Sequence, residues 1–170
     1  MTLRPLAGQP RDRRDRRGQS LVEFALVLPI FIMLLAGMVD FGLGLYSNLT
    51  IINAAREGAR LGTITKDDSS NLTSFASVVV TPIVARTQAM AAGLSPTDLN
   101  VTFRCYHGGA LQATYEAVGT GAIAQVGSGS CTWGAGDDVE VKADYAYNTI
   151  WLRTFGSQIN LASSVTMRVE

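Results

Sequence analysis

Residues 11–63 read RDRRDRRGQSLVEFALVLPIFIMLLAGMVDFGLGLYSNLTIINAAREGARLGT, and this stretch decides the fold. It joins a basic run, a long apolar run and an amphipathic continuation. From Leu21 to Leu45 the side chains are almost wholly apolar. About 25 helical residues rise roughly 37 Å, against about 30 Å of bilayer hydrocarbon. The length predicts one transmembrane helix. A secretory signal would have an apolar region of about 7–15 residues and a small-residue cleavage site. Gly42-Leu43-Gly44-Leu45-Tyr46 offers no such site. A buried core helix of a soluble protein is the other alternative, and a run this long and poor in charge weighs against it.

Charge sets the expected orientation. Arg4, Arg11, Arg13, Arg14, Arg16 and Arg17 precede the apolar run against only Asp12 and Asp15, while the part beyond it holds more acid than base. An arginine excess stays cytoplasmic, so the C-terminal part is expected outside a cell membrane crossed once. The expected division is a basic cytoplasmic leader over residues 1–18, a segment over 19–63 whose transmembrane helix covers about 21–45 before continuing outward, and an extracytoplasmic domain over 64–170. By length the outer part, about 110 residues, suits one small domain. The arginine cluster lacks interleaved aromatics and abuts an apolar helix, so a nucleic-acid partner is not expected.

The mouth of the helix holds the most informative pattern. Gly18 is followed by Gln19-Ser20-Leu21-Val22-Glu23-Phe24, which sets a carboxylate inside an apolar run. An acid at mid-bilayer costs about 2.5–3.5 kcal/mol, less near the interface. Cleavage after Gly18 would give Gln19 a free ammonium one helical turn from Glu23 on the same face. That amine, or a neighbouring subunit's, would neutralise the carboxylate.

These residues resemble the N-terminal signature of the TadE-like family, pilus assembly proteins and pseudopilins of the tight adherence (Flp pilus) system. The resemblance covers roughly residues 17–63 and rests on GQSLVEFALVLP, MVDFG and NAAREGAR, with a weaker echo in the terminal LASSVTMRVE. It implies a membrane-anchored minor pilin or pseudopilin cut by a prepilin peptidase between Gly18 and Gln19. Glu23, with Phe24 beside it, would be the recognition and assembly residue. The implied partners are the membrane, the prepilin peptidase, other pilins or pseudopilins and pilus platform proteins. The alternative is a permanently anchored single-span protein with an outer binding or sensor domain.

Pro29 frees the carbonyl of Ala25 and permits a bend. Asp40 follows Glu23 by about 17 residues, roughly 25 Å, which puts the two acids near opposite interfaces. Beyond Tyr46, Leu45, Leu49, Ile52, Ala55 and Ala59 recur at helical spacing and predict the face on which the outer domain rests. Glu57 has Arg56 and Arg60 within reach. Residues 62–73 read as a polar loop. A second helix is expected over 75–92, with Pro82 in a first turn opened by Thr81 and Gly93 as terminator.

From Leu99 the period changes to two. Leu99, Val101, Phe103 and Cys105 alternate with polar residues, as do Val139, Val141, Ala143, Tyr145 and Tyr147, and then Ile159, Leu161, Ser163, Val165, Met167 and Val169. Residues 107–136 are glycine-rich and read as an irregular excursion, with a short hairpin around 111–118 and a return at Cys131-Thr132-Trp133. The expected fold class is α+β. A long transmembrane helix continues into an amphipathic one, followed by a second helix and a small antiparallel sheet of at least three strands.

Cys105 and Cys131 are the only cysteines. An even pair on the outer side reads as one disulfide, the alternative being two reduced thiols. No metal spacing is present. Asp137, Asp138, Glu140 and Asp144 suggest calcium, but their period-two placement suits a solvated strand face better. His107 is the only histidine and lacks a nucleophile motif, so neither catalysis, a cofactor nor a small-molecule substrate is expected. Asp40-Phe41-Gly42 spells a kinase magnesium motif without the rest of that fold. The Asn48, Asn71 and Asn100 sequons carry no weight beside a pilin-like leader.

Overall fold

The computed structural model describes residues 15–65, 75–131, 134–149 and 158–170. The leader up to residue 14, the polar loop at 66–74, Thr132-Trp133 and the 150–157 connection lie outside the described residues. Helix α1 runs Asp15–Ile64 and passes through Pro29 without a break. A π-helical turn, Ala76–Val80, leads into α2, Thr81–Met90. Five strands follow: β1 Leu99–His107, β2 Ala110–Val118, β3 Ala124–Val126, β4 Asp138–Tyr147 and β5 Ile159–Arg168. The architecture is α+β.

The strands form one sheet in the order β3-β2-β1-β4-β5, with every pairing antiparallel. Three strands coincide with the three alternating runs. The glycine-rich excursion is more ordered than expected, for it supplies β2 and β3. Gly108 and Gly109 adopt φ of +58° and +82° between the paired residues His107 and Ala110. Two residues at positive φ make the tight turn that matches strand twist, and glycine reaches it without steric cost.

The chain divides into two compact units, Met1–Val39 and Asp40–Glu170. In the second, the outer part of α1 and α2 cover one face of the sheet. The core unites Ile51, Ala54, Ala55 and Ala59 of α1 with Val79, Val80 and Ile83, and with Val101, Phe103, Tyr115, Val139 and Val141 of the sheet. Phe75, Phe103 and Tyr115 form a tilted aromatic cluster with ring centroids 5.7–6.2 Å apart. Residues 46–61, expected from the sequence to be the spine under the outer domain, supply its core helix, in a unit that begins at Asp40.

The packed face of α1 differs from the one expected. Ala55 and Ala59 are buried, but Leu45 and Leu49 stand 49% and 60% exposed. Small residues face the sheet instead. A Cβ on Gly58 would overlap Thr87 Oγ1, and one on Gly62 would come within 3.0 Å of Val139 Cγ1. Close approach of helix to sheet selects volume over hydrophobicity, so leucines are turned away.

Pro82 falls in the first turn of α2 as expected, but Thr81 does not cap that turn: it is itself helical, preceded by Val80 in helical conformation, and its hydroxyl donates back to the Ala76 carbonyl. The preceding π-turn carries the chain into α2, with the Thr81 N–H donating to the Ala76 carbonyl. Gly93, at φ +88°, follows the end of α2.

Candidate membrane and assembly segment

Gly18, Gln19, Glu23 and Phe24 lie on the first turns of α1. Glutamine and glutamate four apart share a helix face, and Gln19 Nε2 donates to Glu23 Oε1 at 3.4 Å. The side chain, not an α-amine, makes this contact. Nothing lies within 4 Å of a Cβ built on Gly18. From Leu21 to Val39 the large apolar side chains are exposed, Phe24 at 64% among them. The helix from Gly18 is long and apolar enough to cross a membrane.

Asp40 marks a change in surroundings. It is 9% exposed, and the Tyr147 hydroxyl lies 2.9 Å from its Oδ1 and 3.1 Å from its carbonyl oxygen. One hydroxyl proton is thereby shared between side chain and main chain. Burial, reinforced by the Asp40 carboxylate, pushes the Tyr147 phenol up to about 12, so it remains a donor. Gly44 leaves room for the Tyr147 ring, which a Cβ would approach to 3.7 Å. Sequence reasoning missed this pairing. It joins residues 107 apart, and the only local signal was an acid in an apolar run.

The NAAREGAR stretch resolves into two faces. Ala54, Ala55, Gly58 and Ala59 are buried, while Arg56 and Arg60 point outward. Glu57 lies between them and reaches Arg86 of α2 at 2.8 Å and Arg60 at 3.7 Å. The hydrogen bond from Arg86 leads the charges that hold its carboxyl below the usual range. Glu57 therefore joins the two helices across the top of their shared core.

At the other end of the sheet, Cys105 and Cys131 are joined by a disulfide with Cα atoms 6.0 Å apart. Next to it, His107 Nδ1 lies 2.6 Å from Asp137 Oδ1, and Asp137 Oδ2 accepts from the Gly134 N–H. On the polar sheet face Glu140 accepts from Tyr106 at 2.6 Å and from Arg104 at 3.4 Å, and Lys142 pairs with Asp144. The hydrogen bond to Glu140 is the leading cause that raises the Tyr106 phenol. These acids serve neighbours in the fold rather than converging. No group of three or more His, Cys, Asp or Glu capable of holding a metal occurs among the described residues. A surface groove of about 400 Å³ lies between α2 and residues 120–123, with Thr81, Val84, Gln88 and Ile123 in its walls.

Residues 18–60 match the profile of the TadE-like protein family. The chain carries a TadE-like segment. It coincides with α1 from the proposed cleavage junction to the Glu57 tie, and it connects the chain with the tight adherence (Flp) pilus system. No curated protein and no solved structure gives a significant match.

Proposed function

We propose that this protein is a membrane-anchored pseudopilin or minor pilin that takes part in assembling a tight adherence (Flp-type) pilus or secretion machine. One observation carries the reading: the TadE-like match falls on an exposed apolar helix with Glu23 at its mouth and a glycine five residues before it. The N terminus is cytoplasmic and the sheet domain extracytoplasmic, as the arginine excess before Gly18 favours. The hydrocarbon run ends near Val39, because Asp40 already takes a partner from the outer domain. About 19 residues from Leu21 to Val39 rise roughly 28 Å, close to the hydrocarbon thickness.

A prepilin peptidase cuts between Gly18 and Gln19, and the new ammonium replaces the Gln19 amide as the partner of Glu23. The ammonium brings a full positive charge to the carboxylate, which the neutral amide does not, and that attraction grows as the dielectric falls. Phe41, Leu45 and Leu49, exposed one turn apart, extend the apolar surface past the membrane toward other pilins or platform proteins. The test is the intact mass and N-terminal sequence of the chain taken from its host's membranes, alongside Glu23→Ala. A chain that begins at Gln19 is the expected result. A chain that retains residues 11–18 would leave a permanent anchor and remove the processing step.

A further inference from the structure

The return from β2 to β4 lies wholly within the outer unit and is held down unevenly. At its start the Gly121 N–H donates to the Val118 carbonyl at 2.9 Å, and Ile123 packs on the core. At its end the Gly136 N–H donates to the Val169 carbonyl, the Val169 N–H donates to the Asp137 carbonyl, and His107 Nδ1 lies 2.6 Å from Asp137 Oδ1. Between these ends β3 has three residues, all exposed, paired only with Thr114, Tyr115 and Glu116 of β2. A strand this short has few ladder bonds with which to hold itself on a sheet. Residues 127–131 follow, and among the described residues their main chain makes no hydrogen bond to the sheet. Gln125 Nε2 donates to the Gly129 carbonyl, which ties the segment to β3 and not to the rest of the sheet. The covalent tie to β1 is the Cys105–Cys131 disulfide.

Gly129 sits directly on the edge of β2. A Cβ there would overlap the Gln112 carbonyl oxygen and lie 3.5 Å from the Ala113 Cα. Gln112 marks the shift in the β1–β2 register, where Cys105 pairs with Ala113 and Tyr106 with Leu111. A bulge leaves such a residue outside the ladder, so its carbonyl faces residues 127–131 instead of a strand. Farther along β2, the Gly119 N–H donates to the Leu99 carbonyl, which turns Gly119 toward β1. Alternation turns Ala117 and Tyr115 the same way, and Glu116 and Thr114 toward β3. The outer edge of β2 is therefore covered by β3 and by the segment that the disulfide holds.

We propose that the Cys105–Cys131 disulfide is a redox-sensitive latch, whose reduction releases residues 127–131 together with β3 and leaves the outer edge of β2 open. The reaction is thiol–disulfide exchange with a dithiol. Cys105 is 1% exposed and Cys131 only partly buried, so the incoming thiolate attacks Cys131 Sγ. A sulfur–sulfur bond forms between the dithiol and Cys131 while the bond to Cys105 breaks, and Cys105 leaves as a thiolate that takes up a proton. The second thiol of the dithiol then loses its proton and displaces Cys131, which is protonated in turn. The protein gains an electron pair and ends with two thiols; the dithiol is oxidised to a disulfide. The Ala113 carbonyl oxygen, 3.7 Å from Cys105 Sγ, is an acceptor for the thiol left there. The opening is local, because Gly136 and Asp137 keep their bonds to Val169 and His107.

The test follows amide exchange residue by residue on the full chain in detergent, before and after dithiothreitol, with alkylation and intact mass reporting the thiols. On reduction the Thr114, Glu116, Ala124 and Val126 amides are expected to exchange about tenfold faster or more, while those of Tyr115 and Ala117, bonded to β1, change by less than about twofold. The double variant Cys105→Ala, Cys131→Ala should show the fast exchange throughout and ignore dithiothreitol. Gly129→Val keeps both cysteines but forces residues 127–131 off Gln112, and it should speed the same amides with the disulfide intact. Unchanged exchange at Thr114 and Glu116 on reduction, or a loss of protection shared equally by Tyr115 and Ala117, would overturn the latch. So would a disulfide that dithiothreitol leaves intact in the folded chain, or slow exchange at Thr114 and Glu116 in Gly129→Val.

Discussion

Between Leu21 and Val39, α1 displays Leu, Val, Phe, Ile and Met on nearly every side; between Ala54 and Gly62 the same helix buries only alanine and glycine. In the first stretch large side chains offer apolar area, and their number matters more than their position. In the second the neighbours are Thr87, Val139 and Val141, so position and volume decide. Glycine shows the contrast best. A Cβ at Gly37 meets nothing within 4 Å, whereas one at Gly58 overlaps Thr87 Oγ1 and lies 3.3 Å from Val141 Cγ1.

Gly58→Leu is expected to break the outer unit outright, with a loss of about 3 kcal/mol or more, because the core cannot retreat from both neighbours. Thermal melting of the full chain in detergent, with protease resistance of the sheet domain, measures this. Cys105→Ala together with Cys131→Ala comes next. The bridge closes a segment of sequence separation 26, and its loss is expected to cost about 3 kcal/mol on loop-entropy grounds. Melting with and without reductant should give the same shift in the parent chain and none in the double variant.

Tyr147→Phe tests where the two stretches meet. Removing the hydroxyl leaves Asp40 short of a donor in a site 9% exposed, for about 1–2 kcal/mol. A melt unchanged within error would show that water replaces the phenol there. Glu57 gives a smaller effect with a defined sign. Arg86 holds its carboxyl below the ordinary 4.5, so the folded state binds fewer protons than the unfolded state in that window. Its contribution is present above pH 4.5 and disappears as the pH falls through the lowered value. The difference in melting temperature between the parent and Glu57→Gln should be small at pH 7 and vanish at more acidic pH. Gly37→Leu is expected to leave the outer unit's melt unchanged, within about 0.5 kcal/mol. A large loss there would erase the contrast between the stretches.

Legibility followed the range of the interactions. The strands at Leu99, Asp138 and Ile159 were readable because each alternates by itself, and Pro82 because its missing N–H admits few helix positions. β2 was only glimpsed. Its inward residues are Ala113, Tyr115 and Ala117, two of them too small to stand out as core. The Gly108-Gly109 turn was nevertheless a usable signal. At the candidate site, the Gln19–Glu23 pairing follows from spacing alone. The Asp40–Tyr147 bond and the buried face of α1 depend on strands far along the chain, and local periodicity favoured the wrong leucines.

The small-residue face of α1 also has a history in time. Gly58 emerges from the ribosome about 80 residues before Val141, which at roughly 5–20 residues per second is an interval of about 4–16 s. During that interval the helix is long enough to enter a bilayer, but the sheet that covers its Ala and Gly face does not yet exist. Synthesis of the long helix and completion of the sheet that covers its small-residue face are therefore successive events.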